Sequence, residues 1–396
     1  MQTATAGATN TGNRFAGLDH LRALAIIIVF VYHYNMFGHP PGLYEYLGSW
    51  GWTGVDLFFV LSGYLIGGQL FAKLSRNQPI HYGEFYFKRS LRILPAYFAV
   101  LLIYFTVPTF TERSTLPPFW RFLTFTQNFG LDLSQHGAFS HAWSLCIEEQ
   151  FYLLLPLLII IFGSRKNTIW ILPILFLAGL LVRSFIWYSI LPGEPSFGRG
   201  YYRLIYYPTW SRLDGLLAGV ALSALYYFKP ASWQKLTRHG NRLLLIALLL
   251  VAGAWLLAHD DHQYEMQGAI FGYPAISIAY GALVLAALSP TSVLYRSGRT
   301  ESGPRHYVSR LTRWIATLSY AIYLTHKQLI HLTHEVIRPL GIEDDTYFSF
   351  FICTGVAILG GWLLHIIIEK PFLRLRDRLL KRSPQAILSP APGAIK

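Results

Sequence analysis

The chain has 396 residues, of which 53% are hydrophobic and only 13% are charged, and its mean hydropathy is +0.37. A soluble globular protein carries about 25% charged residues, so this composition excludes a soluble domain and indicates a multi-pass membrane protein. The formal net charge of +13 does not indicate a nucleic-acid partner, because the basic residues lie in short loops between apolar runs. The two cysteines, Cys146 and Cys353, also lie in apolar runs, which predicts buried core residues rather than a disulfide framework.

Ten apolar segments have the length of a membrane-spanning helix, and they predict an all-α, polytopic helix bundle. Most of the 33 Lys and Arg residues lie in loops on the side of the N-terminus, which predicts that both termini are cytoplasmic. Residues 1–16 are predicted to be a disordered cytoplasmic tail, residues 17–372 the membrane domain and residues 373–396 a basic cytoplasmic tail. No cleavable signal peptide and no soluble catalytic domain are expected, so any chemistry is expected inside the bundle. The predicted spans cover residues 18–37, 52–72, 86–107, 142–163, 168–191, 205–228, 242–259, 269–289, 312–337 and 347–369.

The first span carries an arginine near its start, Arg22, and a histidine deep inside it, His33. At about 1.5 Å per residue these side chains stand about 16 Å apart along the helix axis, which is half of a bilayer. Ionisable groups inside a span are costly and usually mark a site. Histidine has an unperturbed pKa of about 6.5, so it can act as a general base on a hydroxyl. The alternatives are a core histidine bonded to a neighbouring helix and, for Arg22, an ordinary topology anchor.

The second and third spans carry further polar groups. Asp56 stands near the outer end of the second span, where an unpaired carboxylate is expensive. Ser62 and Gly63 lie mid-span, where small residues favour close helix packing over ligand contact. In the third span, Arg89 and Arg92 share a helix face, which suits a phosphate or pyrophosphate because guanidinium groups bind oxyanions bidentately. Membrane topology and contact with lipid headgroups are the competing interpretation of this pair.

Two adjacent carboxylates, Glu148 and Glu149, lie inside the fourth span, where such groups are rare. Adjacent residues on a helix point about 100° apart, so the two cannot face one cavity equally. One is expected to pair with an arginine of a neighbouring helix, while the other borders the site. A structural ion pair is the alternative.

Polar residues continue into the later spans. Arg212 and Asp214 lie within the sixth predicted span and point to nearly opposite faces, so each is expected to pair with another helix. In the ninth span, Tyr323 and His326 share one face. No spacing typical of a metal site is found, and no metal is predicted. The remaining histidines of interest are expected in outer loops or at the membrane interface: His141, His259, His262, His331 and His334.

Together these clusters resemble the bacterial integral-membrane acyltransferase 3 family, the O-acetylases of surface polysaccharides and of some antibiotics. Each motif is weak alone, whereas five motifs in the same chain order are specific. The matching motifs are Arg22 with His33, then Phe58 to Tyr64, then Arg89, Arg92 and Pro95, then Trp143 to Tyr152, and last Ser319 to His326.

The resemblance implies transfer of an acyl group, usually acetyl, from cytoplasmic acyl-CoA to a hydroxyl of a glycan or another extracytoplasmic or membrane-associated acceptor. It implies that His33 is the catalytic base or a transient acyl carrier, and that Glu148 or Glu149 orients His33 or completes the pocket. The phosphates of acetyl-CoA would be held by Arg22, Arg89 and Arg92. Further pocket or substrate-binding residues on this reading are Asp56, Ser62, Tyr64, Trp143, Tyr152, Tyr323 and His326.

Some relatives in this family carry a fused extracytoplasmic esterase-like domain. The present chain is expected to lack one, and to present its acyl group directly to the acceptor or to work with a separate extracytoplasmic partner. Membrane lipid and a glycan such as lipopolysaccharide are the expected partners, and the bacterial cytoplasmic (inner) membrane is the expected location. The competing function is a transporter or flippase of a glycolipid or polysaccharide intermediate. Transporters often show repeated halves with broken helices, and no convincing internal repeat is visible.

Overall fold

The computed structural model describes residues 16–38, 42, 48–111, 115–162, 165–297 and 303–380. Within these ranges the protein is built of helices and turns, without a β-strand. The long helices are α1 (Ala16–Asn35), α2 (Gly54–Ser75), α3 (Tyr82–Thr106), α4 (Trp143–Phe162), α5 (Arg165–Phe185), α6 (Asp214–Phe228), α7 (Gly240–Ala258), α8 (Tyr273–Leu288), α9 (Pro304–Ile337), α10 (Tyr347–Leu364) and α11 (Lys370–Leu380). Shorter helices are Phe119–Leu123, Phe197–Tyr201, Pro230–Thr237 and Val293–Ser297.

Helices α1 to α10 follow the ten predicted spans in order. Eight segments of the described chain are long and apolar enough to cross a membrane, which confirms a polytopic helix bundle. The other two predicted spans correspond to α6, which has only 15 residues, and to α9, which has 34 residues and is rich in Arg and His. The predicted cytoplasmic position of the termini stays a prediction.

The predicted tails fall largely outside the described residues, since residues 1–15 and 381–396 are not among them. Residues 370–380, which include the start of the predicted basic tail, form helix α11. A π-helical turn, His365–Glu369, joins α11 to α10. The chain therefore continues as helix beyond the predicted end of the membrane domain.

The sixth predicted span is not one continuous helix, which corrects the prediction for residues 205–228. A π-helical turn (Tyr202–Tyr206) and a 3-10 turn (Thr209–Ser211) precede α6, and Pro208 lies between them. Proline cannot donate a backbone hydrogen bond and disfavours helical geometry in the residue before it. Arg212 therefore lies at a break, with φ of −130° and ψ of 19°, rather than inside a helix.

Two buried ion pairs bind the segment after this break to its neighbours. Arg212 lies 3.0 Å from Asp56 on α2, and Asp214 lies 2.7 Å from Arg183 on α5. Each residue of the Arg212–Asp214 motif thus pairs with another helix, as predicted. The guanidinium of Arg212 also stands 4.0 Å from the ring centre of Tyr273, a cation–π contact.

Glycines allow α2 and α6 to approach very closely. A Cβ atom at Gly63 would lie 2.1 Å from the carbonyl oxygen of Leu216, and one at Gly219 would lie 2.1 Å from that of Val60. Small residues at such a contact are typical of packed membrane helices. Packing is therefore the role of Gly63, whereas its neighbour Ser62 bonds to α4. Cys146 and Cys353 are both fully buried, as predicted.

Helix α1 packs against α2, α8 and α9, so it lies within the bundle rather than at its rim. We call the end at which α1, α3 and α9 begin the basic end, because the loops there carry most of the Lys and Arg residues. Arg22 lies toward the basic end of α1 and His33 toward the opposite end.

Candidate active site

A cavity of about 260 Å³ lies in the basic half of the bundle, among α1, α2, α3, α4 and α9. We call it the arginine cavity. Predicted site residues from five separate motifs meet in its wall, although they are up to about 300 positions apart in the chain. These residues are Arg22, Ser62, Arg89, Arg92, Glu148, Tyr152 and Tyr323.

The carboxylate of Glu148 is held in place from two sides. Ser62 Oγ donates a hydrogen bond of 2.9 Å to Oε1, and the Tyr152 hydroxyl donates one of 2.8 Å to Oε2. The guanidinium of Arg89 lies 4.0 Å from the ring centre of Tyr152 and interacts electrostatically with both Glu148 and Glu149. Glu148 lines the cavity, whereas Glu149 is not among its lining residues.

The residues that line this cavity carry more positive than negative charge. Three guanidinium groups, from Arg22, Arg89 and Arg92, meet a single lining carboxylate, Glu148. Arg92 experiences the like charges of Arg22 and Arg89 and the opposite charge of Glu369, which is not a lining residue, and the Nε atom of Arg89 is buried without a hydrogen-bond partner. Like charges placed together are unfavourable unless an anion joins them. The cavity is therefore suited to a multiply charged oxyanion, which guanidinium groups bind through paired hydrogen bonds.

A second cavity, of about 70 Å³, lies toward the opposite end of the bundle. We call it the histidine cavity, because His33 and His141 line it together with Lys327. Val55 and Tyr323 line both cavities, so the two spaces are neighbours on either side of these side chains. The Tyr323 hydroxyl donates to the carbonyl of His141 and accepts from Ser144, both at 2.6 Å.

The hydrogen bonds assign the tautomer of His33. His326 Nδ1 lies 2.9 Å from the carbonyl oxygen of Tyr323, which can only accept, so Nδ1 carries the proton and Nε2 of the neutral ring is an acceptor. His33 Nδ1 lies 3.1 Å from that Nε2 and 2.9 Å from the carbonyl oxygen of Val29. Since both neighbours are acceptors, His33 Nδ1 carries its proton. The lone pair of neutral His33 is consequently on Nε2, where a general base needs it.

Two residues of the histidine cavity were not assigned a role by the sequence. His141 was expected in an outer loop, but it is buried, and its ring centre lies 5.4 Å from that of His326 and 6.1 Å from that of His33. Its Nε2 atom lies 3.4 Å from the carbonyl of Leu324, and its Nδ1 atom is buried without a partner. His141 lies only two residues before Trp143, so the sequence could have indicated that both side chains lie at a similar depth in the bundle.

The second of these residues is Lys327. It lies directly after His326 on α9, and its Nζ atom donates a hydrogen bond of 3.2 Å to Ser140 Oγ.

Another correction concerns His334, which was expected at the interface. It is 1% exposed, with Nδ1 3.8 Å from a carboxylate oxygen of Asp344. Within the described residues, no group of three or more His, Cys, Asp or Glu side chains is arranged to hold a metal ion.

The comparison with protein families decides the identity of this bundle. The model of the acyltransferase domain, of the acyltransferase 3 family, matches residues 15–366. The chain belongs to the acyltransferase 3 family. The resemblance predicted from the five motifs is confirmed, and the match includes both cavities.

Two curated relatives are similar to this acyltransferase-family chain over most of its length. The peptidoglycan O-acetyltransferase OatA of Listeria monocytogenes is 31% identical over 347 residues, which are 81% of this chain and 50% of the relative. The O-acetyltransferase OatA of Staphylococcus aureus is 29% identical over 337 residues, or 79% of this chain and 50% of the relative. The chain thus spans about half the length of the curated relatives it matches. No solved structure matches it.

Some motif residues of this acyltransferase-family chain lie behind the cavity walls. Asp56 and Tyr64 are not among the lining residues of either cavity, and Asp56 is engaged with Arg212. His326 is fully buried behind His33, and Trp143 lines the histidine cavity. The described hydrogen bonds join Glu148 to Ser62 and Tyr152 rather than to His33, so Glu148 completes the arginine cavity.

Proposed function

We propose that this chain is a membrane O-acyltransferase. It moves an acyl group, with acetyl as the first candidate, from acyl-CoA to a hydroxyl of a glycan outside the cytoplasm. One observation carries the proposal: the arginine cavity and the histidine cavity meet at Val55 and Tyr323. An oxyanion site thus adjoins a histidine whose Nε2 lone pair is available for chemistry.

The donor is inferred from the charges of the arginine cavity. Acyl-CoA carries a pyrophosphate, and Arg22, Arg89 and Arg92 offer three guanidinium groups against the one carboxylate of Glu148. Planar guanidinium groups bind phosphate oxygens bidentately. The acylated thiol arm would then extend from these arginines toward Val55 and Tyr323, with His33 beyond them.

The reaction follows from the tautomer of His33. Its Nε2 atom accepts the proton of the acceptor hydroxyl while the hydroxyl oxygen attacks the thioester carbonyl. The negative charge that develops on the carbonyl oxygen is stabilised by a nearby cation, for which Lys327 is the candidate. The carbon–sulfur bond then breaks, the ester remains on the acceptor, and the thiolate takes the proton from His33 to become free CoA.

His33 also has a second route, in which Nε2 itself attacks the thioester. This route forms an acyl-imidazole and releases CoA before the acceptor arrives. The acceptor hydroxyl then attacks the acyl carbonyl and the bond to Nε2 breaks, which restores neutral His33. The hydroxyl proton is released through water and balances the proton that the departing thiolate takes up to become free CoA. The two routes differ in whether the release of thiol requires the acceptor.

The orientation and the acceptor are inferred together. Most of the Lys and Arg residues lie in loops at the basic end, which supports a cytoplasmic position for the arginine cavity in a bacterial inner membrane. The histidine cavity would then lie toward the outer side. The Listeria monocytogenes relative is named as a peptidoglycan O-acetyltransferase, so a peptidoglycan glycan is the first acceptor to test here.

The test is acetyl-CoA turnover by the purified chain in proteoliposomes. Free thiol is followed with and without a lipid-linked peptidoglycan precursor, and the acetylated glycan is measured by mass spectrometry. We expect both products from the wild type and neither from His33→Ala. His239→Ala is the matched control, because His239 is exposed at the start of α7 and lies outside both cavities.

The outcomes separate the mechanisms as well as the function. Thiol release that requires the acceptor supports His33 as a general base, whereas a stoichiometric burst without acceptor supports an acyl carrier. Transfer by His33→Ala at the wild-type rate would remove His33 from the mechanism. Movement of the glycolipid across the membrane without thiol release would overturn the proposal in favour of a flippase.

A further inference from the structure

A third cavity, of about 230 Å³, lies next to the arginine cavity and further toward the basic end. It is formed by the end of α2, the start of α3 and the loop between them, and we call it the loop cavity. Gln69 lines both this cavity and the arginine cavity, so the two are contiguous. The charged residues in its wall are Lys73, Arg76, Glu84 and Lys88.

The two cavities follow one furrow between α2 and α3. Along α2 the lining positions run from Ser62 through Gln69 to Lys73, one or two turns apart, and Arg76 lines the cavity directly after the helix ends. The furrow between Ser62 and Arg76 is about 21 Å long at 1.5 Å per residue. A ligand much longer than a pyrophosphate therefore fits along it. The arginine cavity would hold one part of that ligand and the loop cavity another.

We propose that the loop cavity binds the 3′-phosphoadenosine end of the acyl-CoA donor. This inference rests on the acyl-CoA donor proposed above and adds a second, separate phosphate site to it. In this arrangement the pyrophosphate lies at the three arginines, the adenosine lies beyond Gln69, and the thioester arm points the other way, toward Val55 and Tyr323.

The charge of the loop cavity matches a ribose phosphate. Lys73, Arg76 and Lys88 supply three positive charges, and Glu84 supplies one negative charge, which lies 2.5 Å from Lys88. Lys73 lies in the last turn of α2 and Arg76 directly follows that helix, and both side chains line the cavity. Lys and Arg side chains at this spacing can bind the oxygens of one phosphate dianion.

The start of α3 adds to the positive electrostatic potential of the loop cavity. Helix α3 has 25 residues, and its N-cap residue, His81, makes no side-chain capping hydrogen bond. The first backbone N–H groups of a helix lack intrahelical partners, and the helix dipole favours an anion beside them. His81 and Glu84 of this first turn line the loop cavity. Ile80 and the edge of the largely buried Phe85 add an apolar part to the same wall, against which an adenine could lie.

Three donors of different length test the proposal. Acetyl-CoA carries the 3′-phosphate, acetyl-dephospho-CoA lacks only that phosphate, and S-acetyl-pantetheine lacks the whole nucleotide. We expect the double variant Lys73→Gln/Arg76→Gln to raise the KM for acetyl-CoA by about tenfold or more, because charge-assisted bonds to phosphate are strong. The KM for acetyl-dephospho-CoA should stay within twofold of the wild-type value. The kcat with acetyl-CoA should not change.

A matched control removes the same charge elsewhere at the basic end. Lys235 and Arg238 are exposed in the segment between α6 and α7, outside the loop cavity. Lys235→Gln/Arg238→Gln should leave all three KM values unchanged. An equal rise in KM for all donors in the Lys73/Arg76 variant would overturn the proposal, because it would indicate a general loss of charge or fold. Unchanged KM values would overturn it as well.

Direct binding separates this inference from the proposed function. Adenosine 3′,5′-bisphosphate, measured by calorimetry, should bind the wild type and His33→Ala equally, and it should bind the Lys73/Arg76 variant about tenfold more weakly. Binding by inactive wild-type protein would contradict the transfer reaction but keep the nucleotide site. All measurements are made in phosphatidylcholine vesicles. If the variant differs from the wild type only when anionic lipid is added, the loop cavity is a lipid-headgroup site and the proposal fails.

Discussion

His326 Nε2 lies 3.1 Å from Nδ1 of His33, and this contact makes a buried histidine of α9 the support for the histidine of α1. His326 cannot reverse its ring without losing the hydrogen bond from its own Nδ1 to the backbone carbonyl of Tyr323. Its Nε2 therefore stays an acceptor and holds the proton of His33 on Nδ1. The proposed base, His33, is thus oriented by a second ring, as in other histidine-dependent sites in which a partner sets the tautomer.

His326→Ala should therefore lower kcat by about 100-fold, within the range by which a general base contributes, while the KM for acetyl-CoA stays unchanged. His326→Gln should recover part of the rate, because its amide oxygen can accept from His33 Nδ1. Acetyl transfer in proteoliposomes gives both constants. His334→Ala is the control, since His334 is another buried histidine of α9 outside both cavities. Equal losses in both variants would reduce His326 to a structural role.

Arg89→Ala should raise the KM for acetyl-CoA by about tenfold or more, because it removes one of three guanidinium groups from the oxyanion site. Folding should be affected less than by the loss of Arg212, since Arg89 stacks on Tyr152 and interacts electrostatically with Glu148 and Glu149 but forms no described hydrogen-bonded ion pair. Arg89→Lys should recover only part of the affinity, because an ammonium group lacks the planar fork. Titration of the purified variants with CoA, next to Arg238→Ala, measures this. An unchanged affinity would return Arg89 to the role of a topology anchor.

Lys327→Met should lower kcat by about 100-fold if the ammonium group stabilises the developing oxyanion, which is the size of effect seen when one such donor is removed. Lys327 also bonds to Ser140, so a structural contribution has to be separated. Ser140→Ala removes that hydrogen bond and keeps the charge, and it should retain most of the activity. If kcat falls as much in Ser140→Ala as in Lys327→Met, the role of Lys327 is to stabilise the segment around Ser140 through their hydrogen bond.

Val55 should control which acyl groups reach His33, because it lines both cavities, as Tyr323 does. Val55→Phe narrows the connection and should lower kcat without changing the KM for acetyl-CoA. Val55→Ala widens it and should raise the ratio of butyryl to acetyl transfer. Leu65→Ala, which alters the arginine cavity alone, is the control. Identical acyl preference in Val55→Ala and the wild type would show that the acyl group does not pass this side chain.

The fold was largely predictable because the local sequence of each membrane span is enough to identify it as a helix. About 20 apolar residues between charged loops indicate a helix without reference to the rest of the chain. The wrong prediction that Arg212 lies inside a continuous helix also has a local cause. Pro208 interrupts the sixth span, and a hydropathy pattern alone does not reveal such a break. The ion pairs of Arg212 and Asp214 were predictable in kind, because buried charges need partners, although Asp56 and Arg183 could not be named.

The site was predictable in its motifs but not in its division into two cavities. Arg22, Arg89 and Glu148 were identified, yet nothing in the sequence separates the surroundings of Glu148 from those of His33. That separation depends on the tertiary contacts of Val55 and Tyr323. His141 was missed for a related reason, because it precedes α4 in a segment that reads as a loop. The ring of His326 lies close to those of both His33 and His141, and only the packing of α9 against α1 brings it there.

The Asp56–Arg212 pair should contribute to stability rather than to substrate affinity. Both side chains are buried, with 3.0 Å between Arg212 Nη2 and Asp56 Oδ2, and the pair joins the break before α6 to α2. Removal of one partner leaves an uncompensated buried charge, which costs about 3–5 kcal/mol. Asp56→Asn and Arg212→Met should each lower the midpoint of thermal unfolding in detergent, whereas the double variant Asp56→Leu/Arg212→Met should recover much of the loss. If Asp56→Asn instead kept its stability and raised the KM for the glycan acceptor, Asp56 would be a substrate ligand and the ion pair would be dispensable.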